Sequence, residues 1–182
     1  MLDPNTVRDI EEFFLDFQLK LIGALEKMDG EKSFSDETLR NPQGGYSKPR
    51  VLQGGQRIEK AAVNFTHSIG ESLPEAVSEK QINLAGKPYE AVSVSTIIHP
   101  LNPFVPTAHL NLRFFVVQTN PVRWHFGGGF DLTPCYGFKE DAVRWHSAAR
   151  DAVGGEYPTM KKACDEYFFL PHRNEHRGVG GI

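Results

Sequence analysis

The sequence contains little cysteine, no excess of charge of one sign and no long apolar run, and each absence excludes a class of protein. Two cysteines in 182 residues are too few for a disulfide scaffold and indicate a reducing compartment. Twenty Lys and Arg against 23 Asp and Glu give a formal charge of −3, so there is no basic excess for general nucleic-acid binding. The longest uninterrupted apolar stretch, residues 114–117, is far shorter than the roughly 20 residues that span a bilayer.

The N-terminal residues also lack the features of a targeting segment. No basic region precedes an apolar run, and acidic residues come early, at Asp9, Glu11 and Glu12. We therefore expect a cytoplasmic protein with no membrane span and no nucleic-acid partner. Its length suits a single domain over residues 1–182 that buries roughly 70 % of its unfolded surface. The sequence ends in Gly-Val-Gly-Gly-Ile at residues 178–182, without a polar tail.

Helical patterns flank a β-rich centre. Apolar residues spaced by three and four predict a first helix that begins near Asp3 and Pro4 and ends at Gly30. Residues 31–56 have weak periodicity and several glycines, which predicts a loop-rich, mobile segment. Because the strands cluster without regular alternation with helices, we expect an α+β fold with an antiparallel sheet. The patterns predict strands at 61–65, 92–98, 109–118 and 122–126, a helix at 139–153, and a second helix that opens at Pro158 and ends before Pro171.

One predicted strand carries three polar side chains on the same side. His109, Asn111 and Arg113 alternate with apolar residues, so they face one way at intervals of about 7 Å. An imidazole, an amide and a guanidinium are costly to bury without partners, and they suit a cleft in which the guanidinium binds a carboxylate. A solvated face of an antiparallel sheet is an equally good interpretation of this pattern.

A glycine triplet follows in the next predicted strand. Residues 127–129 are all glycine, and Asp131 comes two positions later. Three missing side chains allow close approach of a ligand to the backbone, although such a triplet more often forms a turn or a bulge. The spacing matches neither a phosphate-binding loop nor a dinucleotide fingerprint.

Other reactive residues give weaker indications. Six of the seven histidines lie after residue 98, but none has zinc-finger spacing, so hydrogen-bonded structural histidines are the favoured interpretation. Residues 172–177 hold two Arg, two His and one Glu, which suits either anion binding or a solvated turn. Cys164 lies on a predicted apolar face with Met160 and Phe168, which favours a buried thiol over a nucleophile.

Taken together, these segments resemble the oxygen-dependent coproporphyrinogen III oxidase family. The likeness covers roughly residue 50 to the end, with long motifs in the family's order. In that family the sheet is large and mainly antiparallel, with helices on both faces. The matching segments are STIIHPLNP at 95–103, HLNLRFF at 109–115, WHFGGGFDLTP at 124–134 and CDEYFFLPHRNEHRGVGG at 164–181, with a weaker match at 63–67.

Two departures from the family pattern bear on the prediction. Ala163 stands where the family has Trp, which predicts a packing gap unless neighbouring side chains fill it. Family members also continue past Gly-Gly-Ile into a further strand and a segment that forms much of a homodimer interface. On the resemblance, the sheet is therefore expected to be incomplete at the C-terminus of this sequence.

The resemblance implies an oxidative decarboxylation in haem biosynthesis. Two propionates of coproporphyrinogen III become vinyl groups of protoporphyrinogen IX, with O2 as acceptor and no organic cofactor. The alternative is a truncated, inactive relative that binds a tetrapyrrole without converting it.

Roles for individual residues also follow from the resemblance. His109 matches the family's proton donor, and Asp131 would accept hydrogen bonds from the pyrrole N–H groups. Arg113 and Arg177 would hold substrate carboxylates. Ser95, Asn111 and Leu112 match other substrate contacts. Some members are described with a divalent metal and others without, so a metal-free reaction is favoured here; the candidate ligands are His99, His109, His146 and His172.

Overall fold

The computed structural model describes residues 5–73 and 84–182. Its helices are α1 (Thr6–Asp29), α2 (Lys139–Val153) and α3 (Tyr157–Phe168), with a 3-10 turn at Gly154–Glu156 between the last two. Its strands are β1 (Leu39–Arg40), β2 (Gly45–Gln53), β3 (Ile58–Gly70), β4 (Tyr89–Pro100), β5 (Thr107–Val117), β6 (Arg123–Thr133), β7 (Phe169–Leu170), β8 (Glu175–His176) and β9 (Gly180–Gly181).

Seven of these strands form one sheet in the order β1-β2-β3-β4-β5-β6-β9. Every neighbouring pair is antiparallel, and β7 and β8 form a separate small ladder. The predicted α+β fold with a mainly antiparallel sheet is therefore confirmed.

The helix boundaries agree with the capping signals in the sequence. Gly30 ends α1 in the left-handed region at a φ of 86°, and its N–H donates to the Glu26 carbonyl. Asn5 precedes the first turn of α1, and the predicted start at residues 3 and 4 lies outside the described residues. Helix α2 has the predicted bounds, and α3 ends at Phe168, before Pro171.

The prediction of a loop-rich segment over 31–56 is wrong for residues 45–53. These residues form β2, which pairs with β3 along its whole length, from Gly45 opposite Ser68 to Gln53 opposite Lys60. Local periodicity is weak here because residues 45–49 are all half-buried; alternation begins only at Arg50. Pairing with β3 forms this strand, which the local pattern does not reveal.

Helix α1 covers one face of the sheet and builds the main core. Phe14, Ile22 and Leu25 pack against buried apolar side chains of β2, β3 and β4. Burial of each large apolar side chain of this kind contributes about 1.5–3 kcal/mol. Gln18, which is 1 % exposed, is satisfied because its amide donates to the carbonyls of Lys48 and Val63. The sheet residues of this core are Leu52, Ile58, Ala61, Val63, Phe65, Val92 and Val94.

Helix α2 reaches the same face rather than the opposite one. Trp145 packs edge-on against Phe130, with ring centroids 5.1 Å apart. Phe130 is paired with Leu110, and Leu110 lies two residues from Leu112, which packs against the α1 core. Residues two apart on a strand share a face, so Phe130 points to the side of the sheet that α1 covers. The other face carries mainly polar side chains over the middle of β4, β5 and β6, and at one end of it Tyr89, Phe115 and Val117 form a separate apolar cluster with Leu73 and Leu84. Of the helices in residues 5–73 and 84–182, none is long and apolar enough to cross a membrane.

Asp29 fixes the end of α1 to the β2–β3 turn and makes stability depend on pH. Its Oδ1 accepts hydrogen bonds from the N–H groups of Arg57 and Ile58, both at 3.0 Å, and its Oδ2 accepts one from Lys32. These backbone hydrogen bonds, that of Arg57 foremost, hold the pKa of Asp29 well below its usual value. The stabilisation is therefore complete above the unfolded-state pKa of about 4 and is lost as the pH falls towards the folded-state value.

Replacing Asp29 with Asn is expected to lower stability at pH 7 and to flatten its acid dependence. Urea unfolding midpoints at pH 7, 5 and 3 should show a smaller loss on acidification for Asp29→Asn than for the wild type. Asp16→Asn, which removes a surface carboxylate of the same helix, is the matched control. Equal acid dependence in wild type and Asp29→Asn would contradict the assigned role.

Candidate active site

Three rows of paired residues cross the middle of the sheet face opposite α1. Neighbouring antiparallel strands place partners side by side on one face, so a row crosses β4, β5 and β6. The three rows are Ile97–His109–Asp131, Ser95–Asn111–Gly129 and Ser93–Arg113–Gly127. The predicted grouping of His109, Asn111 and Arg113 on one face is confirmed, and Ser95 and Asp131 lie on the same face.

Asp131 is the buried acid of this face. Its side chain is 5 % exposed, and its Oδ2 is contacted by three groups. Arg177 donates to it from Nη2 at 2.7 Å, Thr133 donates from Oγ1 at 3.4 Å, and the Nδ1 atom of His109 lies 3.4 Å away. A buried carboxylate is stable in its charged form only when it is paired in this way.

His109 lies beside Asp131 without completing a hydrogen bond to it. The separation of 3.4 Å is that of an ion-pair contact, but the geometry is not that of a hydrogen bond, and Nδ1 is buried without a hydrogen-bond partner among the described residues. An imidazole N–H that points past its acceptor contributes little stabilisation, so we do not count this contact as a hydrogen bond. Catalytic hydrogen bonds are often loose in a free enzyme and tighten when substrate binds.

Arg177 approaches Asp131 from the chain segment that follows α3. Its guanidinium carbon lies 4.0 Å from the centroid of the Phe168 ring, so the side chain is held by a cation–π contact as well as by the ion pair. The resemblance predicts that Arg177 binds a substrate carboxylate. In this structure the guanidinium is the counter-ion of Asp131, and 42 % of the side chain is still exposed.

The other three predicted substrate contacts differ in their exposure and in the side of the sheet to which they point. The Ser95 side chain is exposed, and Asn111 beside it is half-buried. Leu112 points to the other side of the sheet, where it packs against the α1 core. Only its backbone is therefore available to contact a substrate.

The glycine triplet lies inside β6 and is neither a turn nor a bulge. Gly127, Gly128 and Gly129 pair in unbroken register with Arg113, Leu112 and Asn111. The more common interpretation of such a triplet is therefore wrong for this chain. Gly127 and Gly129 both belong to the polar face, so that face has no side chain on β6 between His125 and Asp131. Other groups take the space that a Cβ would fill: side-chain nitrogens of His125 and Arg113 at Gly127, and the Ile182 carbonyl oxygen at Gly129.

The four histidines predicted as metal candidates do not fit a metal site. His146 uses both ring nitrogens: Nε2 donates to the Val179 carbonyl at 2.9 Å, and Nδ1 accepts from the Tyr157 hydroxyl at 3.0 Å. It has no lone pair left for a cation. His99 lies near Thr107, and His172 is exposed in the turn after β7. Over residues 5–73 and 84–182, no three metal-binding side chains come together.

Cys164 and Ala163 are neighbours on α3 that differ in burial. Cys164 is buried, and its burial raises the pKa of the thiol, which disfavours the reactive thiolate. The interpretation of Cys164 as a structural residue is confirmed. Ala163 is exposed, so a small side chain at this position leaves no gap in the described core.

Three contributors to the site are absent from the sequence-based prediction. Thr133 donates to Asp131, Phe168 stacks on Arg177, and His125 reaches the space over Gly127 that Arg113 also reaches. The residues after the triplet could have indicated Thr133, since it follows Asp131 at the two-residue interval that shares a face. No local pattern indicates the other two.

The open face of this antiparallel sheet combines a buried acid, an adjacent imidazole and guanidinium groups, a set of groups suited to bind a small molecule that bears carboxylates. The comparison with protein families identifies the class of protein. The family model for coproporphyrinogen III oxidase matches residues 9–182, and the chain belongs to this family. Membership assigns the protein to the oxidoreductases of porphyrin and haem biosynthesis and implies a coproporphyrinogen as its substrate.

Proposed function

We propose that this protein is an oxygen-dependent coproporphyrinogen III oxidase. It converts two propionate side chains of coproporphyrinogen III to vinyl groups and so yields protoporphyrinogen IX. Each conversion releases one CO2 and transfers a hydride equivalent to O2, which takes up one proton to become H2O2. Family membership supports coproporphyrinogen as the substrate, and the geometry of the site supports the roles that we assign to its residues.

The cluster of Asp131, His109 and Arg177 is the observation that carries this proposal. A buried carboxylate beside an exposed polar face is suited to accept the N–H groups of a pyrrole ring that lies on that face. Partial removal of the N–H protons makes the pyrrole electron-rich, and an electron-rich ring reacts more readily with O2. Because Asp131 is already oriented by Arg177 and Thr133, little reorganisation is needed during the reaction.

His109 is placed to handle the proton. Its Nδ1 has no hydrogen-bond partner in the described part of the chain and lies 3.4 Å from the Asp131 carboxylate, so a small rotation brings it into the same hydrogen-bonded group. An imidazole can donate or accept a proton through its ring nitrogens, and a positioned general acid contributes roughly 10²–10⁴-fold to rate. We assign His109 as the donor of the proton that accompanies electron transfer to O2.

The other two rows position the substrate. Ser95 and Asn111 offer a hydroxyl and an amide one row away from Asp131, and Arg113 offers a guanidinium one row further. A guanidinium binds a carboxylate through two parallel hydrogen bonds, which fixes both distance and orientation. Holding one propionate in this way determines which other propionate lies near the reacting ring.

The deciding experiment supplies coproporphyrinogen III to the purified protein in air and without O2. We expect one O2 consumed and one H2O2 formed per vinyl group, with protoporphyrinogen IX identified after oxidation by chromatography and mass. Turnover should persist after treatment with EDTA, because the candidate histidines do not form a metal site. Binding of coproporphyrinogen without vinyl product in air would contradict the enzyme and favour an inactive tetrapyrrole-binding relative.

A further inference from the structure

Two neighbouring residues of α2 hold the chain segment 177–181. Nε1 of Trp145 donates to the Gly180 carbonyl at 3.0 Å, and Nε2 of His146 donates to the Val179 carbonyl at 2.9 Å. Gly180 is buried and Val179 is half-buried, so their carbonyls depend on protein donors. These two hydrogen bonds therefore fix the position of the segment relative to α2.

The same segment is also bonded to the sheet and to α3. The Val179 N–H donates to the Leu132 carbonyl at 2.9 Å, and the Arg177 N–H donates to the Phe168 carbonyl at 3.0 Å. The backbone is thus held at Arg177 and two residues after it. From this position the Arg177 guanidinium reaches Oδ2 of Asp131 at 2.7 Å. A shift of the segment would move the guanidinium relative to the carboxylate that it orients.

Tyr157, the first residue of α3, orients the imidazole of His146. Its hydroxyl donates to Nδ1 at 3.0 Å, which leaves the ring proton on Nε2, where the Val179 carbonyl accepts it. The Tyr157 ring packs edge-on against the imidazole with centroids 6.2 Å apart, and the residue is 8 % exposed. A buried hydroxyl bonded in this way favours one ring orientation, so the donor to Val179 is held in place.

We propose that His146, oriented by Tyr157, is a positioning residue for the oxidation: it fixes the segment 177–181 so that Arg177 holds the Asp131 carboxylate in its productive orientation. This inference rests on the proposed function, because Asp131 affects the rate only if it activates the substrate ring. His146 acts through Arg177 and takes no part in the proton transfers. Its role needs no metal ion, in agreement with the use of both ring nitrogens in hydrogen bonds.

The first test compares His146→Leu, which removes both ring nitrogens, with His146→Gln, whose amide keeps a donor near the position of Nε2. We expect His146→Leu to lower kcat for coproporphyrinogen about 10-fold, because the acid is no longer held in place. KM and the binding of coproporphyrin III, the stable oxidised analogue of the substrate, should stay within about twofold, since the substrate-binding residues are unchanged. His146→Gln should recover most of the rate.

Two tyrosines of α3 form a matched pair of variants. Tyr157→Phe removes the hydroxyl that orients His146 and keeps the ring, so the fold should persist and kcat should fall about 3-fold. This variant tests the role even where His146→Leu unfolds. Tyr167, which is 78 % exposed, loses a solvated hydroxyl in Tyr167→Phe, and that variant should turn over as the wild type does.

Amide hydrogen exchange of the peptide 177–182 reports the position of the segment without any turnover. Three of its N–H groups donate to backbone carbonyls and so exchange slowly while the segment is held: Arg177, Val179 and Ile182. His146→Leu should speed this exchange about fivefold or more, and Tyr157→Phe should speed it by a smaller factor. His146→Gln and Tyr167→Phe should exchange as the wild type does.

The outcomes separate this inference from the proposed function. Unchanged exchange in His146→Leu and Tyr157→Phe contradicts the fixing of the segment by His146. Faster exchange with unchanged kcat contradicts the role in the reaction and leaves the proposed function intact. Equal loss of rate in His146→Leu and His146→Gln, with a wild type that EDTA inactivates, also contradicts the inference, because it makes His146 a metal ligand. A wild type that forms no vinyl product contradicts the proposed function and the effect on rate, and the exchange data still decide whether His146 holds the segment.

Discussion

Replacing Asp131 with Asn is expected to lower the rate of coproporphyrinogen conversion roughly 10²–10⁴-fold while the protein stays folded. Asn has nearly the same shape and can still accept hydrogen bonds from Arg177 and Thr133 through its carbonyl oxygen. It lacks the negative charge that draws the pyrrole N–H protons, so the ring loses its activation towards O2. Steady-state O2 uptake with coproporphyrinogen, together with chromatography of the products, measures the loss.

The stability of the Asp131→Asn variant depends on whether Arg177 tolerates a neutral partner. A buried charge left unpaired would destabilise the fold, but the Arg177 side chain is 42 % exposed and can be hydrated. The thermal midpoint of Asp131→Asn should therefore fall by only a few degrees, and binding of coproporphyrin III should be largely retained.

A second acidic residue provides the control for Asp131. Asp151→Asn changes an exposed carboxylate on α2 and should turn over as the wild type does. If Asp131→Asn retained more than about a tenth of the wild-type rate, activation of the pyrrole by this carboxylate would be wrong. Loss of rate together with loss of the folded far-ultraviolet signal would instead show that Asp131 is chiefly structural.

Local periodicity was sufficient to predict the fold class and the site residues that lie on β5. Alternation along β5 placed His109, Asn111 and Arg113 on one face, because the side-chain period of a strand is fixed at two. Spacing and capping signals likewise gave the bounds of α2. These features depend only on residues within a few positions of each other, so they can be read from the sequence alone.

The rest of the site depends on contacts that local patterns do not encode. Asp131 meets His109 only because β5 and β6 pair in one register, and a shift of one residue would have turned Asp131 to the other face. Arg177 meets Asp131 across 46 positions of sequence. Strand β2 was missed for the same reason, since its pairing with β3 outweighs a weak local pattern.

The glycine triplet shows how one motif serves both the fold and the site. Gly127 leaves room on the polar face for side-chain nitrogens of Arg113 and His125, which lie 3.2 and 3.0 Å from the position that a Cβ would take. Gly128 points the other way and lies against the neighbouring backbone, where a Cβ would be 2.2 Å from the Asn111 carbonyl oxygen. Equivalent-looking glycines in one run are therefore expected to respond differently to the same substitution.

Gly128→Ala is expected to destabilise the protein by about 3 kcal/mol or more, because two costs combine. The residue adopts a φ of +152°, which side chains rarely tolerate, and the backbone of Asn111 on β5 cannot move aside as a flexible side chain can. Urea unfolding should show a clearly lower midpoint, and binding of coproporphyrin III should fall with it, because separation of β5 from β6 moves His109 away from Asp131. Gly155→Ala, with no atom within 4 Å of the added methyl, should unfold as the wild type does, and Gly127→Ala should cost less than Gly128→Ala. If Gly128→Ala matched Gly155→Ala in its unfolding midpoint, the close β5–β6 contact at this position would not be required for the fold.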